Sequence, residues 1–185
     1  MNLITYIDNK ASWKGVIVLF CTSAILGTLI ITMCFNIITL EPDATMDSLS
    51  FYTSDTFFQN LDVQGDMGRR GYLQLHLIDY IFITQFYLLL TFLLNLLIRK
   101  IEILKNLAFF CLIPLLSAFM DIFENLSIDI SIHLYPTKVI WIGKLAGIFT
   151  LIKISSIYIT FILIVILSVL FLIKVLGRTA KWMEK

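Results

Sequence analysis

Apolar runs near or beyond about 18 residues recur along this chain, and nothing else limits its fold as strongly. A run of that length crosses hydrocarbon as a helix, because at 1.5 Å per residue about 20 residues cover a core of roughly 30 Å. Four spans can be drawn, at about 16–38, 73–98, 107–128 and 145–173. Charged residues are 15% of the chain, against about 25% in an ordinary soluble domain, and mean hydropathy is +0.92. No tandem repeat, low-complexity tract or Pro/Gly-rich linker divides the sequence. The expectation is an all-α fold: one polytopic membrane domain over 1–185, a four-helix bundle with a short helix in the first external loop.

Lysine and arginine set the orientation. Lys10, Lys14, Arg99, Lys100, Lys105, Lys174, Arg178, Lys181 and Lys185 hold nine of the fourteen positive charges, at the N-terminus, the second connection and the tail. Glu41, Asp43, Asp47, Asp55, Asp62 and Asp66 all fall in the first connection, residues 39–72. The positive-inside rule then places both termini in the cytoplasm of a multi-pass cell (inner) membrane protein. Lys10 and Lys14 precede an apolar run longer than a signal-peptide core, with no clear cleavage site after it, so the first span is expected to stay uncleaved.

The segment "SAFMDIFENLSI", residues 117–128, carries Asp121, Glu124 and Asn125 at i, i+3 and i+4. Only 14 uncharged residues, Leu107 to Met120, precede Asp121, roughly 21 Å of helix. That is too short to cross, so the span must carry Asp121, and with it Glu124 and Asn125, into the membrane. Asp79, Lys153, His76, Thr150 and Asn36 fall at a similar depth on the other spans. Facing agrees with depth: His76, Asp79 and Ile83 share a helical stripe, with Tyr87 two turns beyond Asp79, and Thr150, Lys153 and Ser156 share another. Lys153 with Asp121 or Glu124 is the expected ion pair. Three acids against one lysine leave an excess of negative charge, so at least one carboxyl is expected to be protonated at neutral pH.

Each residue also has a plainer reading. Lys153 can snorkel to the interface, Asp79 can lie among headgroups, and the Asp121 cluster can be a structural clamp between helices. His76 can be interfacial packing. Tyr72, Tyr135 and Trp141 suit an aromatic belt. Cys21, Cys34 and Cys111 form no C-x-x-C pair and read as small core residues. In the external loop, "SDTFFQNLD" places Ser54 as an N-cap, with Phe57, Phe58 and Leu61 on one side of a short helix that could cover the polar layer. Arg69 and Arg70 in "GDMGRRGY" stand where phosphate headgroups would be met.

The order G-x-x-G-R-x-x-Y (Gly65, Gly68, Arg69, Tyr72), D-x-x-F-x-x-x-x-Y (Asp79, Phe82, Tyr87), Pro114 ahead of D-x-x-E-N, then Thr150 and Lys153, resembles a group of small, uncharacterised four-span bacterial membrane proteins. The resemblance covers roughly residues 60 to 155 and implies the four-span architecture, with no activity carried over. In layout alone, the chain is similar to the four-span sterol-isomerase-like and sigma-2-type domain, in which acids line a lipid-facing pocket.

Three function classes remain. The first is a protein that binds a lipid or other apolar small molecule at Asp79, Tyr87, Asp121, Glu124, Asn125 and Lys153, with His76, Arg69 and Arg70 nearby. The second is a membrane enzyme in which Asp121, Glu124 or Asp79 supply a general acid and base. The third is a proton- or cation-coupled transport or assembly subunit. With His76 and His133 as its only histidines, the chain has no H-E-x-x-H, so no metal site is expected; it also lacks G-x-S-x-G and a dinucleotide fingerprint. No cofactor is implied. Membrane lipids are the expected partners, with a homo-oligomer open and nucleic acid not expected.

Overall fold

The computed structural model of the chain describes residues 2–37 and 51–183. Its elements are helices α1 (Leu3–Lys10), α2 (Trp13–Ile37), α3 (Ser54–Val63), α4 (Gly65–Lys100), α5 (Ile113–Leu134) and α6 (Ile140–Met183), with a 3₁₀ segment over Glu102–Leu112. Among the described residues there is no strand. Four helical stretches are long and apolar enough to cross a membrane: Trp13–Cys34, Gly65–Lys100, Asn106–Leu134 and Ile140–Gly177.

Helix boundaries follow local chemistry. Asn2 caps α1 by accepting the Ile4 N–H at 2.8 Å, and Ser12 starts α2 by accepting the Gly15 N–H at 3.1 Å. Thr53, not Ser54, caps α3: its hydroxyl accepts the Thr56 N–H, and Ser54 is already the first helical residue. Gly65 sits at φ 60°, the left-handed conformation that lets the chain turn from α3 into α4. Since α4 begins there and not near residue 73, Arg69 and Arg70 lie inside the helix. Its 36 residues cover about 54 Å, well beyond a hydrocarbon core. The third stretch opens as a 3₁₀ segment, leaves helical geometry at Leu107, and becomes α-helical only at Ile113, where Pro114 suits the first turn. It continues to Leu134, six residues past the expected end.

The helices do not share burial equally. In α4 56% of the most apolar window is inside the protein, against 11% in α2 and in α6. Central α4 has α2 along one side and α5 along another, while α5 runs along α6 for much of its length. The outward faces of α2 and α6 carry Ile17, Phe20, Ile25, Tyr158, Ile162 and Val165, all exposed. Apolar surface on that scale is typical of a face that meets lipid or another protein.

At the α3 end, Phe57, Phe58 and Leu61 bury themselves with Tyr52, Tyr72, Leu75, Ile128 and Ala146. Tyr72 is therefore a core residue, not part of an aromatic belt; of the expected belt residues Trp141 is exposed, and Tyr135 packs its ring against Arg69. Gly143 and Gly147, spaced G-x-x-x-G on α6, make the approach close. A Cβ on Gly143 would lie 3.2 Å from Phe57 and Ser54, and one on Gly147 would collide with the Tyr52 carbonyl oxygen. Of the cysteines only Cys111 is a core residue; Cys21 is exposed on α2 and Cys34 partly buried.

Candidate functional site

On α5, Asp121, Glu124, Asn125 and Ile128 form one stripe, since residues three and four apart stack on a helix. Glu124 is completely buried and Asn125 nearly so. Opposite stands Lys153 of α6, whose ammonium lies 3.0 Å from Asp121 Oδ1 and 2.5 Å from Glu124 Oε2. One cation thus bridges two carboxylates on adjacent turns. The remaining carboxylate oxygens are also occupied. Tyr87 of α4 donates to Asp121 Oδ2 at 3.0 Å, and Tyr52 donates to Glu124 Oε1 at 2.9 Å. The Thr150 hydroxyl lies 2.6 Å from the same Oε1 and 2.9 Å from the Ala146 carbonyl, and its single proton serves one acceptor at a time.

Two further links tie α4 to α5. Asn125 donates to Asp79 Oδ2 at 2.7 Å. His76 Nδ1 lies 2.5 Å from Asp129 Oδ1, and Tyr80 donates to Asp129 Oδ2 at 2.9 Å. His76 is buried, and among the described residues its Nε2 has no hydrogen-bond partner. Along the α4–α5 contact four carboxyl groups thus follow one another: Asp121 and Glu124 with Lys153, Asp79 with Asn125, and Asp129 with His76 and Tyr80.

The centre has a closed floor and an open rim. Glu124 is shut off, whereas the side chains of Asp121, Lys153 and Asp129 keep 15%, 14% and 20% of their surface. Asp121 and Lys153 are therefore the more accessible members of the centre, and Glu124 the inaccessible one.

The structure brings Asp121, Glu124, Lys153, Thr150 and Tyr87 into one network, and Asp79 with Asn125 into a neighbouring one. Arg69 and Arg70 join neither. Arg69 is buried, donates to the Leu61 carbonyl at 2.7 Å, pairs with Asp66, and stacks 3.7 Å above the Tyr135 ring. It joins α3, α4 and the turn after α5. Arg70 is exposed. The side chain of Asn36, expected in the same layer, lies outside the described residues, as do Glu41, Asp43 and Asp47 of the acid-rich connection.

Sequence reasoning missed three members. Asp129 was cut off by ending the third span at 128, yet it sits one turn past Asn125 on the same helix. Tyr80 went with it, as the residue after Asp79. Tyr52 gave no signal of its own, but G-x-x-x-G at 143 and 147 marks a close approach on α6 and could have pointed to the segment that packs there. Among the described residues, no group of three or more His, Cys, Asp or Glu is arranged to hold a metal ion. No protein-family model, no curated protein and no solved structure matches this chain.

Proposed function

We propose that the chain is an integral membrane protein, both termini cytoplasmic, whose four-span bundle binds a lipid or other apolar small molecule at the carboxylate–lysine centre. The observation that supports this reading is the gathering of Asp79, Asp121, Glu124 and Asp129 on α4 and α5 beside Lys153 and His76, with the side chains of Asp121, Lys153 and Asp129 keeping part of their surface exposed. An acid-rich centre between apolar helices favours a guest whose polar end is cationic or a hydrogen-bond donor, able to exchange with the present partners, and whose body is apolar. The segment from Tyr52 through α3 closes the other side, so Tyr52 is the group that a deeply seated guest displaces from Glu124.

The test is mass spectrometry of molecules that copurify with the wild type and with Asp121→Asn. A lipid or apolar species retained by the wild type and lost from a folded Asp121→Asn supports the reading. Identical, ligand-free spectra for both favour a structural clamp.

One observation favours a second reading, a proton- or cation-coupled transport subunit. Buried polar side chains continue from the centre toward the α1 end. Ser117 and Ser156 lie 2.7 Å apart, Thr160 and Thr91 are fully buried beyond them, and Asn95 follows, donating to Asp8 at 2.8 Å. Reconstituted vesicles with an internal pH dye distinguish the two: a pH-gradient-driven flux abolished by Glu124→Gln favours transport.

A further inference from the structure

At the α1 end a cleft of about 370 Å³ opens between the α1–α2 turn and the last turn of α4, lined by Ala11, Ser12, Trp13, Leu96, Arg99 and Lys100. Its floor is apolar and its rim basic. Leu96 is buried, while Arg99 and Lys100 are exposed and Trp13 is 42% exposed. Arg99 is held in place because it donates to the Asp8 carbonyl at 2.8 Å, which uses one of the several N–H donors of a guanidinium. Asp8 turns its carboxylate toward Asn95. Lys174 reaches the same end from α6, donating to the Lys100 carbonyl at 2.7 Å, and Lys10 and Lys14 flank the turn in sequence.

We infer that this cleft binds the phosphate of an anionic glycerophospholipid, between Arg99 and Lys100, with its acyl chains running down the apolar faces of α2 and α4. Charge selects the headgroup: Arg99 and Lys100 line the cleft, Lys174 reaches the Lys100 carbonyl, Lys10 and Lys14 flank the α1–α2 turn in sequence, and the Asp8 carboxylate is already engaged by Asn95. Geometry selects a lipid over a free ion. The cleft lies at the ends of two apolar helices, its floor is Leu96 and Ala11, and the Trp13 indole suits the depth where headgroup meets hydrocarbon. The guanidinium offers the forked donors that phosphate oxygens accept, and Lys100 adds a point charge. This inference rests on the membrane reading and is independent of the carboxylate–lysine centre.

The test is native mass spectrometry of the detergent-purified full chain with phosphatidylglycerol or phosphatidylcholine added, and with inorganic phosphate as a separate arm. The wild type is expected to retain phosphatidylglycerol over phosphatidylcholine, and Lys100→Gln to lose about fivefold of that preference. Arg99→Gln/Lys100→Gln should lose it further, while Lys138→Gln, a lysine outside the cleft, should keep it. Lys100→Gln leaves the Arg99–Asp8 bond intact, so the result stands even if the double variant folds poorly. Equal retention of both lipids by the wild type, an unchanged preference in Lys100→Gln, or equal protection by inorganic phosphate overturns the inference. If the chain leaves membranes at high pH without detergent, the membrane reading fails instead.

Discussion

The carboxylate–lysine centre and the basic cleft handle charge in opposite ways. At the centre, Lys153 has turned inward and bridges Asp121 and Glu124, and both acids take a second partner from another part of the chain. At the cleft, Arg99 uses one donor on a backbone carbonyl and stays exposed with Lys100. The difference is one of dependence. A buried charge relies on the partner supplied by the fold, whereas a rim charge keeps its hydration and remains available to something outside. The centre should therefore be sensitive to single substitutions in stability, and the cleft in affinity.

The largest break in that comparison is Lys153→Met. It leaves Asp121 and Glu124 facing each other three residues apart with no cation, a loss expected at about 3–5 kcal/mol. Thermal unfolding in detergent should show a collapse in stability, and adding Glu124→Gln should restore part of it, because the fully buried one of the two uncompensated carboxylates has been removed. Lys100→Gln should leave the melting temperature nearly unchanged. Equal effects for the two lysines would dissolve the distinction.

A smaller break acts through Tyr52. Tyr52→Phe removes a buried hydrogen bond to a carboxylate, expected to cost about 1.5–3 kcal/mol. Gly147→Ala should also destabilise by another route, since its methyl group would collide with the Tyr52 carbonyl oxygen. The substitutions act on one contact, so the double variant should lose less than the sum of the two. Strict additivity in thermal or chemical unfolding would separate the glycine from the Tyr52–Glu124 bond.

What was legible in the sequence follows the range of the signals. Four long apolar helices are visible because length and hydropathy are local properties. The stripe of Asp121, Glu124 and Asn125 is visible because helical period alone places them together. Partner choice is not local. The expected pair of Lys153 with Asp121 or Glu124 forms with both acids at once, while Asp79, placed at the same depth by the sequence, has Asn125 as a partner that depth alone does not name. Arg69 and Arg70 look equivalent in a loop. Once α4 starts at Gly65 they stand about 100° apart on the helix, and only Arg69 shares a stripe with Tyr72 and His76.

The smallest effect concerns the surface link beside Arg69. Asp62 of α3 accepts from Lys138 and, at 3.1 Å, from the Tyr135 hydroxyl, so it fastens α3 to the turn between α5 and α6. The hydrogen bond from Lys138 holds the Asp62 carboxyl below its ordinary value of 3.8; lost hydration works against this, and the Tyr135 bond and the charges of Lys138 and Arg69 add to it. The folded state therefore favours the ionised form. The stabilisation is fully present above the ordinary carboxylate range and disappears as pH falls from about 4 through the lower folded value. Both partners are substantially exposed, so salt should weaken the link. Melting curves of wild type and Asp62→Asn should differ slightly at neutral pH and low salt, then converge at acidic pH or high salt. A gap that persists under acid would assign the difference to packing of α3, and the link would then belong with the buried contacts of the centre.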